Sequence, residues 1–292
     1  MDNKTIAVTG ASGLLGFNFI SAVAGKHPVV GFYHRNPIEI EGIKAYPLQI
    51  LNYQKVKETV NWLKPDIIYH FASISNPNHC EKDPGASYGV NVTGTKNIVA
   101  AARSIDAKVV FTSSDLVFDG KNAPYTEKDA PNPLNLYGLQ KVEAEQIVLD
   151  YQDGKVVRMP LIFGPKSPHS GSFLQPTINF IRSKSKITLF DDEFRTPIST
   201  RKAVEGLLLA ADLEPALLHL SCDERISRYD MGYYVANHLG LDTDLIIKSS
   251  QKEVSFPASR PSDTSLDISL AKSFGFSPGS LYEELKWVIK SL

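Results

Sequence analysis

Cysteine is scarce in this 292-residue chain. Cys80 and Cys222 are the two present, far apart and outside any C-x-x-C spacing, so neither a disulfide framework nor a cysteine zinc site is expected. A reducing, cytoplasmic setting is the expectation that follows. A surplus of charge is missing too. With 31 basic side chains against 32 acidic ones the net charge is −1, which leaves no basic excess to neutralise phosphates, and no nucleic-acid partner is expected. The seven histidines contain no H-x-x-x-H pair, and no metal is expected. The longest apolar stretch, Val204 to Leu220, is broken by Glu205, Asp212, Glu214 and Pro215, short of the ~18 uninterrupted residues of a membrane span. The strand-like Thr5 to Thr9 begins too near Met1 for a signal peptide, so neither secretion nor membrane anchoring is expected.

What is there suits an ordinary folded chain, 42% hydrophobic and 22% charged. Its length, about twice the ~150 residues of a typical domain, fits one large domain or two modest ones. Short β-branched runs at 4–9, 28–33, 66–71, 107–113 and 155–159, with a weaker one at 43–48, alternate with helical patterns that include 56–63, 86–103 and 137–150. That rhythm predicts βαβ units and a Rossmann-type α/β fold, a doubly wound parallel sheet of six strands. After Gly164 the rhythm changes at Pro165, Pro168 and Gly171. Beyond it come helices near 173–184 and 200–211, a strand at 217–221, a helix opened by Ser227 with Asp230 in capping-box spacing, and a last helix from Ser280. The expected division is a nucleotide-binding domain over 1–163, to which 198–213 returns, and a smaller α/β substrate lobe built from 164–197 and 214–292.

The first strand runs into Thr9-Gly10-Ala11-Ser12-Gly13-Leu14-Leu15-Gly16 and then an apolar helix. A phosphate can sit on the free N–H groups at the start of such a helix where no Cβ blocks the approach, the work expected of Gly10 and Gly13, while Gly16 lets the helix pack closely. The spacing is G-x-x-G-x-x-G rather than G-x-G-x-x-G. After the second strand, Tyr33-His34-Arg35-Asn36 carries no acid to read a ribose 2′-hydroxyl. Arg35 there pairs with a 2′-phosphate or is simply solvated; the first alternative favours NADP(H) over NAD(H).

Tyr137 and Lys141 stand four apart and so share a helix face, where an ammonium beside a phenol is expected to lower the phenol's proton affinity and make it a usable acid or base. The spacing alone is weak. With 12 tyrosines and 22 lysines chance supplies about one such match and there are four, Tyr53/Lys57, Tyr151/Lys155 and Tyr282/Lys286 being the others. Placement separates them. Only Tyr137 opens a helix shortly after a strand whose carboxyl end carries hydroxyls, Thr112-Ser113-Ser114, where ligands of open α/β sheets bind.

These residues resemble the extended short-chain dehydrogenase/reductase superfamily, whose nucleotide loop has the T-G-x-x-G-x-x-G form. Within it, Ser113 to Gly120, Pro124-Tyr125-Thr126-Glu127 and Pro133 to Gly138 resemble the dTDP-4-dehydrorhamnose reductase family. The likeness is strongest over 1–165 and continues in patches at Arg195-Thr196-Pro197, His219 to Met231 and Arg260-Pro261. It implies that Ser114, Tyr137 and Lys141 are catalytic: Ser114 bonding the substrate carbonyl, Tyr137 as general acid, and Lys141 binding the nicotinamide ribose and tuning Tyr137. It implies cofactor contacts from Gly10, Ser12, Gly13, Leu14, Leu15, His34, Arg35, Leu51, Phe71, Ala72, Ser73, Asn91, Tyr137 and Lys141, with Asn91 also supporting the fourth strand. Substrate contacts are implied for Ser75, Ser114, Asp115, Arg195 and Arg260, the last as a diphosphate ligand. Gln49 stands where many relatives carry an aspartate near adenine. Leu116 leaves Asp115 without the adjacent glutamate of the nucleotide-sugar dehydratases, and elimination of water needs such a carboxylate pair.

The leading expectation is an NADPH-dependent reductase of a nucleotide-activated 4-keto-6-deoxy sugar, with the nucleotide sugar as its small-molecule partner and a homodimer left open. Two rivals stay open. A nucleotide-sugar epimerase of the same superfamily uses the same three residues and retains its cofactor. A non-catalytic NADP-binding subunit, like the regulatory β subunit of methionine adenosyltransferase, also resembles the 113–145 region.

Overall fold

The computed structural model describes residues 4–291; residues 1–3 and 292, counted above in the expected domain and lobe, lie outside the described residues. The first half runs β1 (Ile6–Thr9), α1 (Leu14–Val23), β2 (Val29–Tyr33), β3 (Lys44–Pro47), α2 (Tyr53–Leu63), β4 (Ile67–His70), α3 (Pro77–Lys82), α4 (Pro84–Tyr88), α5 (Gly94–Arg103), β5 (Lys108–Ser114), α6 (Leu136–Leu149) and β6 (Gly154–Met159). The second half runs β7 (Ile162–Phe163), α7 (Leu174–Arg182), β8 (Ile187–Phe190), β9 (Phe194–Arg195), β10 (Ile198–Ser199), α8 (Thr200–Ala210), β11 (Leu217–His219), β12 (Ile226–Ser227), α9 (Arg228–His238), β13 (Ile246–Ser249), α10 (Ser269–Ser273) and α11 (Leu281–Ile289).

Seven strands form one parallel sheet in the order β3-β2-β1-β4-β5-β6-β11. Helices cover both faces of the central strands, so successive residues of β1, β4, β5 and β6 are buried on opposite sides, while β3 at the edge is mostly exposed. Ile6, Val8, Tyr69, Val110 and Val157 pack with Phe19 and Ile20 of α1 and with Ala203 and Leu207 of α8. Ala7, Ile68, Val109, Phe111 and Val156 pack with Val56 of α2, Ile98 of α5 and Ala144 of α6. Burial on both faces is why these strands read as unbroken apolar runs, each large buried side chain contributing roughly 1.5–3 kcal/mol. The chain leaves β1 toward β2 and β3, then restarts at β4 and proceeds the other way. A crevice therefore opens between the carboxyl ends of β1 and β4.

Two elements differ from expectation. Leu217–His219, assigned above to the smaller lobe, is the seventh strand of the main sheet, with Leu218 opposite Val157 and His219 opposite Arg158. Leu218 and His219 are both buried there, and the backbone edge of β6 is paired rather than left open. The expected single helix over 86–103 is α4 and α5 joined by one π turn, Gly89–Thr93. Such a turn adds a residue to the helix and re-aims what it carries, here Asn91.

The remaining elements form a second core in which α7, α9 and α11 gather Leu174, Ile178, Met231, Val235, Leu281 and Leu285 around Phe163. Short strand pairs β7–β10, β8–β13 and β9–β12 knit it together. Ser227 caps α9, its hydroxyl accepting the Asp230 amide at 2.9 Å, although the Asp230 carboxylate takes the Ser227 hydroxyl proton at 2.6 Å and not the backbone bond of a capping box. Among the described residues no helix is long and apolar enough to cross a membrane.

Candidate active site

A cavity of about 490 Å³ lies over the carboxyl ends of β1, β4 and β5 and reaches the second core. One end is the glycine loop. Gly10 has φ +69°, and a Cβ there would lie 2.7 Å from the Ala72 amide nitrogen, so a side chain is excluded both by conformation and by the approach of the chain after β4. At Gly16 a Cβ would meet the Gly10 carbonyl oxygen at 2.3 Å, so glycine is what lets α1 start directly on the loop. Gly13 is the N-cap of α1 and no side chain caps the helix. Gly13, Leu14, Leu15 and Gly16 all line the cavity, leaving first-turn N–H groups and the positive end of the helix dipole for an anion. The cradle fits the diphosphate of a dinucleotide.

Behind this wall runs a buried polar chain whose direction the partners determine. The Thr95 hydroxyl donates to the Asn91 carbonyl at 2.7 Å and so accepts from His70 Nε2 at 3.0 Å. His70 Nδ1 is left to accept the Thr9 hydroxyl at 2.7 Å, and Thr9 accepts the Ala72 amide at 3.3 Å. Burial, and then the charge of Lys141, hold the imidazole neutral, its pKa down to about 3. The Asn91 side chain accepts from the Ser73 hydroxyl and the Ile74 amide, both at 2.9 Å, and donates to Gln140 at 2.8 Å.

Tyr137, Ser114 and Lys141 come together at the middle of the cavity. Asn135 caps α6 by accepting the Gly138 amide at 2.9 Å. Gly138 lies so close to the turn after β5 that a Cβ would be 2.3 Å from the Leu116 carbonyl oxygen, and this contact brings the first turn of α6, with Tyr137, against Ser114. Lys141 donates to the Thr112 carbonyl at 2.9 Å and sits 5.8 Å from the centre of the Tyr137 ring. Burial lowers its pKa to about 8 despite the opposing charge of Glu145. One expectation is corrected here. The phenol of Tyr137 is pushed above its ordinary value, not below, because burial and then the nearby Asp115 carboxylate outweigh the hydroxyls of Ser114 and Ser73. Burial disfavours phenolate more than the neighbours stabilise it. Ser114 donates to Asp115 and accepts the Leu116 amide, both at 3.1 Å.

The far end of the cavity is rich in arginine. Arg195, Arg228, Arg260 and Glu193 all line it. Glu193 lies 3.3 Å from Arg195 and from Arg228 and 3.6 Å from Arg260, while Arg195 Nε pairs with Asp115 at 3.1 Å. Burial raises the Asp115 pKa, against the pull of Arg195, Thr264 and Ser114; the three guanidinium groups hold that of Glu193 below its usual range in spite of burial. Sequence reasoning missed Glu193 and Arg228. Glu193 is two residues before Arg195 in a strand-like stretch, a period that places both on one face, and Arg228 follows a recognised cap; either signal was available.

Of the other expected residues, Gly10, Gly13, Leu14, Leu15, Phe71, Ser73 and Ser75 reach the cavity wall. Asn91 does not: it is buried behind the wall and supports the loop after β4. Ala72 likewise contributes through its backbone. The Ser12 carbonyl accepts the Ser167 hydroxyl at 2.9 Å. His34 and Arg35 are exposed just beyond β2, and Leu51 is exposed after β3, outside the cavity lining. Both cysteines are buried and free. Among the described residues no cluster of three or more His, Cys, Asp or Glu side chains is placed to hold a metal.

Known proteins are similar to this one over most of the chain. A family model described as the RmlD substrate binding domain matches residues 4–292. The methionine adenosyltransferase 2 subunit beta of Rattus norvegicus is 28% identical over 284 residues, covering 94% of this chain and 83% of that protein. The crystal structure of a dTDP-4-dehydrorhamnose reductase from Clostridium acetobutylicum superposes with a TM-score of 0.86 at 27% identity, covering 98% of each chain. A Bacillus anthracis dTDP-4-dehydrorhamnose reductase solved in complex with NADP superposes with a TM-score of 0.85 at 22% identity, covering 99% of this chain and 100% of that one.

Proposed function

The chain belongs to the RmlD substrate binding domain family, and from that premise we propose that it is an NADPH-dependent reductase acting on a nucleotide-activated 4-keto-6-deoxy sugar. The observation that carries this reading is the meeting of Tyr137, Ser114 and Lys141 in one cavity with the uncapped start of α1. The diphosphate of the cofactor rests on the N–H groups of the first turn of α1, from Leu14 onward, since the Gly13 N–H already donates to the Gly10 carbonyl at 3.0 Å, and Arg35, exposed after β2 where no acid stands, takes the 2′-phosphate. When bound, the nicotinamide supplies the hydride.

The chain's own residues handle the proton and the geometry. Tyr137 keeps its proton because burial holds it as a phenol, the form needed to protonate an oxygen that gains charge as a carbonyl is reduced. Lys141, fixed by the Thr112 carbonyl, places an ammonium beside that oxygen's path. Ser114 turns its hydroxyl from Asp115 to the substrate carbonyl. Arg228 and Arg260 hold the anionic part of the substrate, with residues of 164–197 and 220–291 enclosing the sugar.

The test is a spectrophotometric screen of NADPH against keto-sugar nucleotides, repeated with Tyr137→Phe. The expected result is stoichiometric NADPH oxidation, reduced by about 10²-fold or more in the variant with cofactor affinity kept. An unchanged rate removes Tyr137 from its role; isomerised product without net NADPH loss points to an epimerase. A second reading is favoured by the match to methionine adenosyltransferase 2 subunit beta: a non-catalytic NADP-binding subunit. Tight NADP binding, no turnover on any keto sugar and co-elution with a methionine adenosyltransferase would establish it.

A further inference from the structure

Beneath α6 lies a buried ion pair that the proposed chemistry does not itself use. Glu145 is four residues after Lys141, one turn further along the same helix face. Its two carboxylate oxygens accept from Arg158 of β6, Oε1 from Nε at 2.9 Å and Oε2 from Nη2 at 2.7 Å. Both side chains are almost wholly buried. Arg158 is anchored on its other sides, with Nη1 3.5 Å from His219 Nε2 of β11 and its guanidinium 5.1 Å from the Phe118 ring centre.

We propose that Arg158 is a positioning residue for this reaction: by drawing Glu145 into a two-armed ion pair, it decides how much of that carboxylate's charge reaches the Lys141 ammonium. The inference rests on the role given to Lys141 above. Lys141 has little else to balance it. The Thr112 carbonyl and the Phe111 ring, 4.5 Å from Nζ, offer dipole and π density from β5. The remaining titratable groups facing it are the Cys80 thiol of α3, the neutral His70 of β4 and the Tyr137 phenol of its own helix. Glu145 is thus its one anionic neighbour of consequence, and that anion is already shared with a stronger, bidentate partner.

Opposite changes to the pair have opposite effects on the lysine, which a merely structural role does not predict. Arg158→Met leaves the Glu145 charge for Lys141, and Glu145→Gln removes it. The experiment follows the Lys141 signal of the full-length, [¹³C]lysine-labelled protein by NMR through a pH titration, Lys141→Arg identifying the signal. Arg158→Met is expected to raise the midpoint by about one pH unit or more and Glu145→Gln to lower it similarly. The double variant Glu145→Gln/Arg158→Met, which leaves no unpaired buried charge and keeps the test readable where a single variant unfolds, is expected to fall between them. Coincident midpoints, or both single variants shifting the same way, overturn the inference. The alkaline limb of NADPH turnover is expected to follow the same order. Titration shifts in that order without any turnover would support the inference and count against the reductase reading alone.

Discussion

Gly138→Ala isolates the contact that seats Tyr137. The added Cβ would lie 2.3 Å from the Leu116 carbonyl oxygen and 2.7 Å from the Pro133 side chain. The carbonyl belongs to the backbone turn that carries Asp115, so it cannot swing aside, and ordinary contact requires α6 and the turn to part by about 1 Å. Overpacking of this kind costs about 1–3 kcal/mol, offset by about 1 kcal/mol from replacing a helical glycine with alanine. The net loss is small, a few degrees in Tm for a chain of this size. Catalysis is more sensitive: a misplacement of about 1 Å costs on the order of 10²-fold in rate. The expected variant is therefore folded, loses little affinity for NADPH because the glycine loop that holds the diphosphate lies at one end of the cavity, away from α6, and has kcat reduced about 100-fold. Gly25→Ala is the control. No atom lies within 4 Å of its Cβ position and its φ is +75°, so it loses about 1 kcal/mol of stability or more from backbone strain and no activity. Calorimetry, fluorescence titration of NADPH and turnover together decide. Wild-type kcat in Gly138→Ala, or loss of NADPH binding with kcat preserved at saturation, refutes the reasoning.

Turnover is expected to fall as pH rises through about 8, where Lys141 loses its proton. The unfolded chain still holds that proton up to about pH 10.5, so the contribution of Lys141 to stability rises with pH across this window; a difference between wild type and Lys141→Met that is flat from pH 7 to 11 contradicts this. Arg35→Asp is expected to raise the KM for NADPH by about 10–100-fold, the worth of a charge-assisted hydrogen bond, and to leave NADH no worse; equal losses with both cofactors would remove Arg35 from the 2′-phosphate. Arg228→Met is expected to raise the substrate KM by about 10-fold or more with a smaller change in kcat, and to weaken the dependence of KM on salt. A fall in kcat alone would place Arg228 elsewhere in the cycle.

The sheet was legible in the sequence because burial on both faces leaves a run of apolar residues that needs no partner to be recognised, as at Ile6 to Val8 and Val109 to Phe111. The place of β11 in that sheet was not: the strand at 217–221 was readable, but nothing in its three paired residues, Leu217 to His219, names β6 as their neighbour across the whole of the intervening segment. The π turn at Gly89–Thr93 was hidden for a related reason: one added residue does not disturb the average spacing of a helix. Placement chose Tyr137 among four Tyr-x-x-x-Lys matches, and the others lie apart from the cavity, the Tyr151 hydroxyl bonded to the Ala107 carbonyl and Tyr53 and Tyr282 exposed. The protonation of Tyr137 could not be read that way. It depends on how deeply the assembled fold buries the phenol, just as the arginine cluster depends on β9, α9 and the segment around Arg260 arriving at one place.

That β11 completes the sheet from so far along the chain bears on how the protein is made. As it leaves the ribosome, β6 emerges some 60 residues before its last neighbour, from Val157 to Leu218. Until then its outer backbone is an open template for other strands, and Arg158 lacks the cover of His219. The nucleotide-binding half is therefore not a module that matures first and waits for the rest; a nascent chain stalled near Gly164 is expected to be a client for chaperones.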